Sequence, residues 1–333
     1  MSFVLGLDIG YSNLKLVFGD KSKNGTYESK ILPVGAADAS LVQHQLVGAR
    51  NDNSVMVNID GRNWVAGVEP YRLQGWDREL HQEYPGTDNY RALFYAALLL
   101  TGQSTINEVV TGLPVDQYKN KELIEKLIKR LEGEHQITPK RNITVDKVTV
   151  VPQPAGAYID SLYSYNDSED EIIKTAITDG KMVVIDPGFF SVDWVVLQQG
   201  EVRYKSSGTS LKAMSMLIEE MERLIKLDHG ASPSMNELES YIREKKEKVL
   251  LLGELIELKP YMKTASNTVS KNALTPMKTT MREDGLNVDV VLLAGGGAAS
   301  YEEAAKEIFP RSRIVVSNDS PLANARGFFH IGG

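Results

Sequence analysis

Hydrophobic and polar positions divide the chain into short apolar runs and longer amphipathic stretches. Residues 3–7 are apolar and are closed by Asp8 and Gly10, which predicts a buried strand entering a turn. Leu14, Leu16 and Phe18 alternate with Lys15, Val17 and Gly19, so a second strand follows at once and the pair reads as a hairpin. Residues 54–66 form another alternating pair, turning at Asp60-Gly61. Leu93, Ala96, Ala97 and Leu100 share one face of a helix over 89–102. A strand at 108–112, a charged amphipathic helix at 119–134, a strand at 145–151 and a helix over 154–165 complete the first block. A polar, acidic loop at 166–171 separates it from the second. There the pattern predicts a strand at 182–185 ending in Asp186-Pro187-Gly188, then a meander over 193–198 and 201–205 turning at Gln199-Gly200. A helix at 211–227, a charge-rich and mostly helical segment at 234–258 and a long helix at 259–281 follow, the last with Pro260 and Pro276 near its ends. An apolar strand at 288–293 runs into Gly295-Gly296-Gly297, before a helix at 300–308, a strand at 314–316 and a last helix at 322–328.

The two blocks repeat a pattern. Residues 5–18 read LGLDIGYSNLKLVF and residues 183–196 read VVIDPGFFSVDWVV: apolar strand, Asp, any residue, Gly, a short turn, apolar strand. The closing segments, VTVVPQPAGAY at 148–158 and VVLLAGGGAASY at 290–301, also read as counterparts. A duplicated α/β architecture is expected.

Composition narrows the function. With 37 Lys and Arg against 44 Asp and Glu, the net charge is −7, which argues against a protein that coats nucleic acid directly. The chain has no cysteine, so disulfides, thiolate metal sites and cysteine nucleophiles are excluded. Its five histidines show no metal-ligand spacing. The N-terminus lacks a signal-peptide pattern and no apolar run approaches the ~18 residues of a membrane span, so a cytoplasmic protein without membrane contact is expected.

A hairpin that turns at Gly beside small polar residues points backbone N–H groups into its bend, a concavity suited to anionic oxygens. Gly10 and Gly188 provide two such turns, each with an Asp at its mouth. Asp8 and Asp186 suit Mg²⁺ held largely through its waters, and Lys15 could meet a phosphate as a point charge. Gly295-Gly296-Gly297 after an apolar strand offers bare backbone to a flat ring, an adenosine site. No GxxxxGK[ST] loop exists, and the triple glycine lacks the dinucleotide fingerprint.

Four segments in order resemble the actin, Hsp70 and sugar-kinase ATPase superfamily. DIGYSNLK at 8–15 resembles its first phosphate loop and DPGFFSVD at 186–193 its second. VVPQPAGAY at 150–158 resembles its first connecting segment and LLAGGGA at 292–298 its adenosine motif. Within it, Asn13, Lys15, TGLPVDQY at 111–118 and VPQPAGAY resemble the ParM/StbA plasmid-segregation actins. The resemblance implies an actin-like fold of two RNase H-like α/β domains around a nucleotide cleft. They would be 1–165, with a small insertion at about 30–85, and 166–333, with a helical insertion at about 215–285. It implies ATP or GTP with Mg²⁺, hydrolysis, and a homopolymeric filament that reaches DNA through a DNA-binding adaptor rather than directly. It places the nucleotide at Asp8, Gly10, Tyr11, Ser12, Asn13, Lys15, Asp186, Gly188, Phe189, Phe190, Ser191, Asp193, Gly208, Gly295, Gly296 and Gly297. Gln153, with Asp8 and Asp186, would carry catalysis; from its Pro-flanked loop alone it could equally be a helix-start residue. The second loop departs from the family's D-x-G-G-x-T-x-D: Phe189 replaces the second glycine, and Phe190 and Ser191 follow, which could narrow the phosphate pocket. A non-polymerising or accessory ATPase, or a small-molecule kinase of the same superfamily, are the alternatives.

Overall fold

A computed structural model of the chain describes residues 2–23, 26–42, 54–74, 76, 78, 83–166, 169–211, 213–281 and 287–333. The chain forms two compact units, Met1–Lys174 with Ser317–Gly333, and Thr175–Val316.

Unit one opens with β1 (Phe3–Ile9), β2 (Asn13–Asp20) and β3 (Glu28–Pro33), the first two in the expected hairpin. Next come β4 (Gly35–Asp38), β5 (Val55–Ile59) and β6 (Arg62–Val68), the last two joined at Asp60-Gly61 as expected. The expected insertion at about 30–85 falls partly outside the described residues; within them β4, β6 and β5 form a three-stranded sheet. Helix α1 (Asp88–Leu100) is buried almost all round, and β7 (Thr105–Ile106) and β8 (Glu108–Leu113) follow. After α2 (Val115–Tyr118) and α3 (Lys121–Leu131), the chain turns into a hairpin, β9 (Gly133–Thr138) and β10 (Arg141–Val145). The sequence pattern missed this hairpin and ran the helix on to 134; Gly133, at φ 99°, ends it. The edge strand β11 (Val148–Pro152) leads into α4 (Gln153–Ser164).

Helix α5 (Glu171–Thr178) starts on the last residue of the expected loop, fills a stretch for which no element was expected, and leads to unit two. There β12 (Lys181–Pro187) and β13 (Val192–Gln198) form the second hairpin, followed by β14 (Glu201–Val202) and β15 (Gly208–Ser210). Helices α6 (Met214–His229) and α7 (Met235–Arg243) come next, α7 opening on a capping box between Ser234 and Glu237. The expected helical run at 234–258 stops at Arg243. Lys245 takes φ 54°, and 248–257 fold as a hairpin of β16 (Lys248–Leu251) and β17 (Glu254–Glu257) turning at Leu252-Gly253. A leucine at a turn position hid that turn from the pattern. The long helix α8 (Lys259–Thr280) carries Pro276 internally. Then come β18 (Val290–Leu293), α9 (Ala298–Ile308), β19 (Arg313–Val316) and α10 (Ala323–Ile331).

The duplication is real, but its register differs from the reading above. Unit one's main sheet has the order β11-β8-β1-β2-β3 and unit two's the path β14-β13-β12-β18-β19. β1 pairs β8 in parallel, Leu7 opposite Thr111, and β12 pairs β18 likewise, Ile185 opposite Leu293. The strand before the triple glycine is therefore the counterpart of β8, and β11 corresponds to the edge strand β19. Both junctions read as apolar strand, then small-residue helix start, and only sheet pairing separates them.

The last 17 residues, grouped with the second half by sequence, fold into unit one. Helix α10 crosses α4 backbone to backbone: a Cβ on Gly327 would stand 1.7 Å from the Gly156 carbonyl oxygen. Arg326 donates to both carboxylate oxygens of Asp160 on α4, at 2.8 and 2.7 Å, and to the carbonyl of Asn318. Both side chains are buried. Arg326→Met should therefore destabilise the protein by about 3–5 kcal/mol, because Asp160 stays buried and unpaired. Adding Asp160→Leu should recover most of that loss in urea unfolding; an additive double mutant would contradict this account.

Candidate functional site

In unit one the β1–β2 hairpin closes on a hydrogen bond from Gly10 N to Asn13 O of 3.0 Å. In unit two Gly188 N donates to Ser191 O at 2.8 Å, the same closure. Register places Asp8 opposite Lys15, and Asp186 opposite Asp193. Both Asp8 and Asp186 are buried at strand ends.

Two other residues singled out by sequence meet at Asp8. Lys15 Nζ donates to Asp8 Oδ2 at 2.8 Å, across the hairpin. Gln153 Nε2 donates to Asp8 Oδ1 at 3.2 Å, from the first residue of α4. Gln153 is thus both a helix-start residue and a side chain brought to the phosphate-loop candidate. Sheet order explains the approach: β11 lies two strands from β1, so the residue after it faces the hairpin's mouth. At the turn, Asn13 Nδ2 donates to Ser12 Oγ at 3.0 Å. The Tyr11 ring stacks on Tyr84 with centroids 4.9 Å apart, and its carbonyl accepts from Arg78. Arg78 carried no sequence signal.

Asp186 abuts the glycine run. A Cβ on Gly295 would lie 1.9 Å from Asp186 Oδ1, and Gly295 itself takes φ 81°. Gly297 N donates to the Pro187 carbonyl at 2.9 Å, so the glycine segment is laced to the second hairpin. Gly296 is exposed, and a Cβ there would meet no atom within 4 Å. Asp193 is buried and held by hydroxyls, Ser191 Oγ at 2.6 Å and Thr209 Oγ1 at 2.6 Å, which gives it a structural task. Thr209 is a partner that sequence reasoning missed, since a lone Thr sixteen residues away gives no pattern. The Phe189 side chain is buried and its carbonyl accepts from Ser215 N at 2.9 Å; the Gly188 carbonyl accepts from Met214 N at 3.3 Å. The residue in place of the family glycine thus packs inside the unit, while Phe190 is half-buried. Gly208 faces the Trp194 indole, whose Cζ2 would stand 2.9 Å from an added Cβ.

Residues 6–156 match the family of actin like proteins, N-terminal domain, and residues 184–307 match the C-terminal domain of the archaeal actin homologue, MreB-like. The chain belongs to the actin-like superfamily. No curated protein matches this actin-like chain. Among solved structures it resembles an archaeal actin homologue in complex with ADP, at 19% identity and TM-score 0.75, covering 99% of this chain and 98% of that one. It also resembles a ParM from a 15-stranded filament of Clostridium botulinum, at 19% identity and TM-score 0.73, covering 99% of each chain. The actin-like protein Alp7A aligns at 18% identity and TM-score 0.70, over 99% of this chain and 96% of that one. At such identity the likeness is one of fold. Among the described residues no helix is long and apolar enough to cross a membrane, and no group of three or more His, Cys, Asp or Glu is placed to hold a metal. Asp8 in unit one and Asp186 in unit two are each a buried carboxylate at a strand end, a donor type that fits a metal held mainly through its waters, as Mg²⁺ is.

The contrast between neighbouring glycines is testable. Gly295→Ala forces a left-handed backbone and a collision with Asp186, and should cost about 2–4 kcal/mol. Gly296→Ala should cost under about 1 kcal/mol. Equal melting temperatures for the two variants would show that the Gly295–Asp186 approach is not as described.

Proposed function

We propose that this actin-like chain is a nucleotide-dependent, filament-forming ATPase that serves plasmid segregation through a DNA-binding adaptor. The convergence of Lys15 and Gln153 on buried Asp8 carries this reading. In phosphoryl transfer to water, catalysis is mostly positioning and charge neutralisation. Gln153 is a neutral side chain able to orient a water. Asp8 holds it in place and is itself held by Lys15, a cation that would turn toward a phosphate oxygen when nucleotide binds. In unit two, Asp186 and the backbone around Gly188 suit a phosphate and its metal, and the open face of Gly296 suits a purine. Bound Mg²⁺ and nucleotide, ATP or GTP, would supply the charge that these groups balance and the bond that is cleaved. The net charge of −7 supports an adaptor over direct DNA contact. The fold shared with a filament-forming ParM supports assembly into a homopolymer.

Assembly should follow nucleotide state, because a ligand shifts a conformational equilibrium only through differential contacts, and a heterologous interface propagates into an open helix. Purified protein with ATP or GTP and Mg²⁺ should pellet as filaments seen by negative stain, and EDTA should prevent it. A protein that binds nucleotide yet stays monomeric under these conditions would instead be an accessory ATPase. Gln153→Ala should slow hydrolysis by about 10–100-fold, a loss of about 1.4–2.7 kcal/mol in transition-state positioning, while filaments still form and persist longer. Unchanged turnover in phosphate-release assays would leave Gln153 with its helix-start task alone.

A further inference from the structure

Unit two carries a groove of about 470 Å³ far in sequence from both phosphate hairpins. It lies between the last turns of α6, the strand β17 and the first turns of α8. Its apolar lining is Leu224, Leu255, Ile256 and Pro260. Its charged lining is wholly acidic: Asp228, Glu254 and Glu257. Glu257 is paired with Lys248 at 3.2 Å, whereas the described residues give Asp228 and Glu254 no Lys or Arg partner. Asp228 is held in place, its Oδ2 accepting from the Tyr261 hydroxyl at 2.9 Å. That hydroxyl oxygen in turn takes the His229 Nε2–H at 3.0 Å.

The apolar surface does not stop at the groove. On the β16–β17 ribbon, Val249 and Ile256 point inward and are buried, so the ribbon is seated on its unit. Leu250 and Leu255 are direct cross-strand partners on the other face and are 68% and 70% exposed. Leu252, at the turn with φ 49°, is 78% exposed. A turn position of this kind favours Asn, Asp or Gly, and a solvent-facing strand pair favours polar residues, so local folding does not account for these leucines. The groove's apolar floor, with Asp228, Glu254 and Glu257 beside it, continues onto an exposed leucine face and is wider than a small molecule needs. It matches a polypeptide segment with large apolar side chains next to Lys or Arg.

We infer that this groove and leucine ribbon dock a segment of a partner protein in which basic residues flank apolar ones. The inference does not require hydrolysis or filament formation. Its test uses the full chain and labelled model peptides of about 12 residues: one of Leu and Lys, one with Glu in place of Lys, one with Ser in place of Leu. Fluorescence anisotropy should show binding of the Leu–Lys peptide alone. Glu254→Lys and Leu255→Ser, both at exposed positions, should each weaken it about tenfold or more, and raising salt from about 0.05 to 0.3 M should weaken it further. Circular dichroism melts of both variants establish that they are folded. Absence of binding, equal binding of the Leu–Glu peptide, or indifference to both substitutions overturns the inference. So does sedimentation showing that Leu255→Ser abolishes self-association while peptide affinity is unchanged, because the occupant would then be a second copy of the chain.

Discussion

A carboxylate buried at the end of a central strand is the constraint around which unit one's candidate site is organised. An ionised carboxylate removed from water is costly unless charge and hydrogen bonds replace its hydration. Asp8 obtains both, from Lys15 on the neighbouring strand and from Gln153 on the helix after β11. The first depends on the β1–β2 register and the second on the sheet order β11-β8-β1. A slip of one residue in the hairpin would turn Lys15 to the opposite face and leave Asp8 without its cation. The same buried pair that satisfies the fold thus fixes the positions of the groups that suit phosphate chemistry.

The closure of unit one by the C-terminal segment rests on similar physics. Asp160 and Arg326 are buried, and each is acceptable only because of the other. Their pairing fixes the rotation of α10 against α4, while Gly156 and Gly327 allow the two backbones to touch. Each of these helices follows an edge strand of one of the two main sheets, β11 or β19. The duplication read from the Asp-x-Gly hairpins therefore extends to the helices that follow those edge strands.

Most of the strands and long helices were legible in the sequence because alternation and helical periodicity are local signals. Asp8, Gly10, Lys15 and Gln153 were legible as candidates because each sits in a short segment with a recognisable turn. What the sequence did not reveal was pairing. The equivalence of β18 with β8 rather than β11 depends on hydrogen bonding between strands more than 100 residues apart. The β16–β17 hairpin was obscured by Leu252-Gly253, and β9–β10 by the charged helix running into it. Arg78 and Thr209 were invisible for the same reason: each bonds a residue that only the fold brings near.

The two hairpins share a backbone and differ in charge, and the difference bears on what each can do. The first places Lys15 opposite its aspartate; the second places Asp193 there. Like charges directly opposite on a strand pair repel, so Asp193 is taken up by Ser191 and Thr209 instead. The first hairpin can therefore meet an anion with a side-chain cation, whereas the second has backbone N–H groups and a carboxylate. Phe189 follows from the same arrangement. With the turn's carbonyls accepting from the first residues of α6, the position after Gly188 points into the unit, where an apolar side chain is favoured over a glycine. The departure from the family's second glycine is thus compatible with an intact turn, because the bulk goes inward and the Gly188–Ser191 closure is the same as that of Gly10–Asn13.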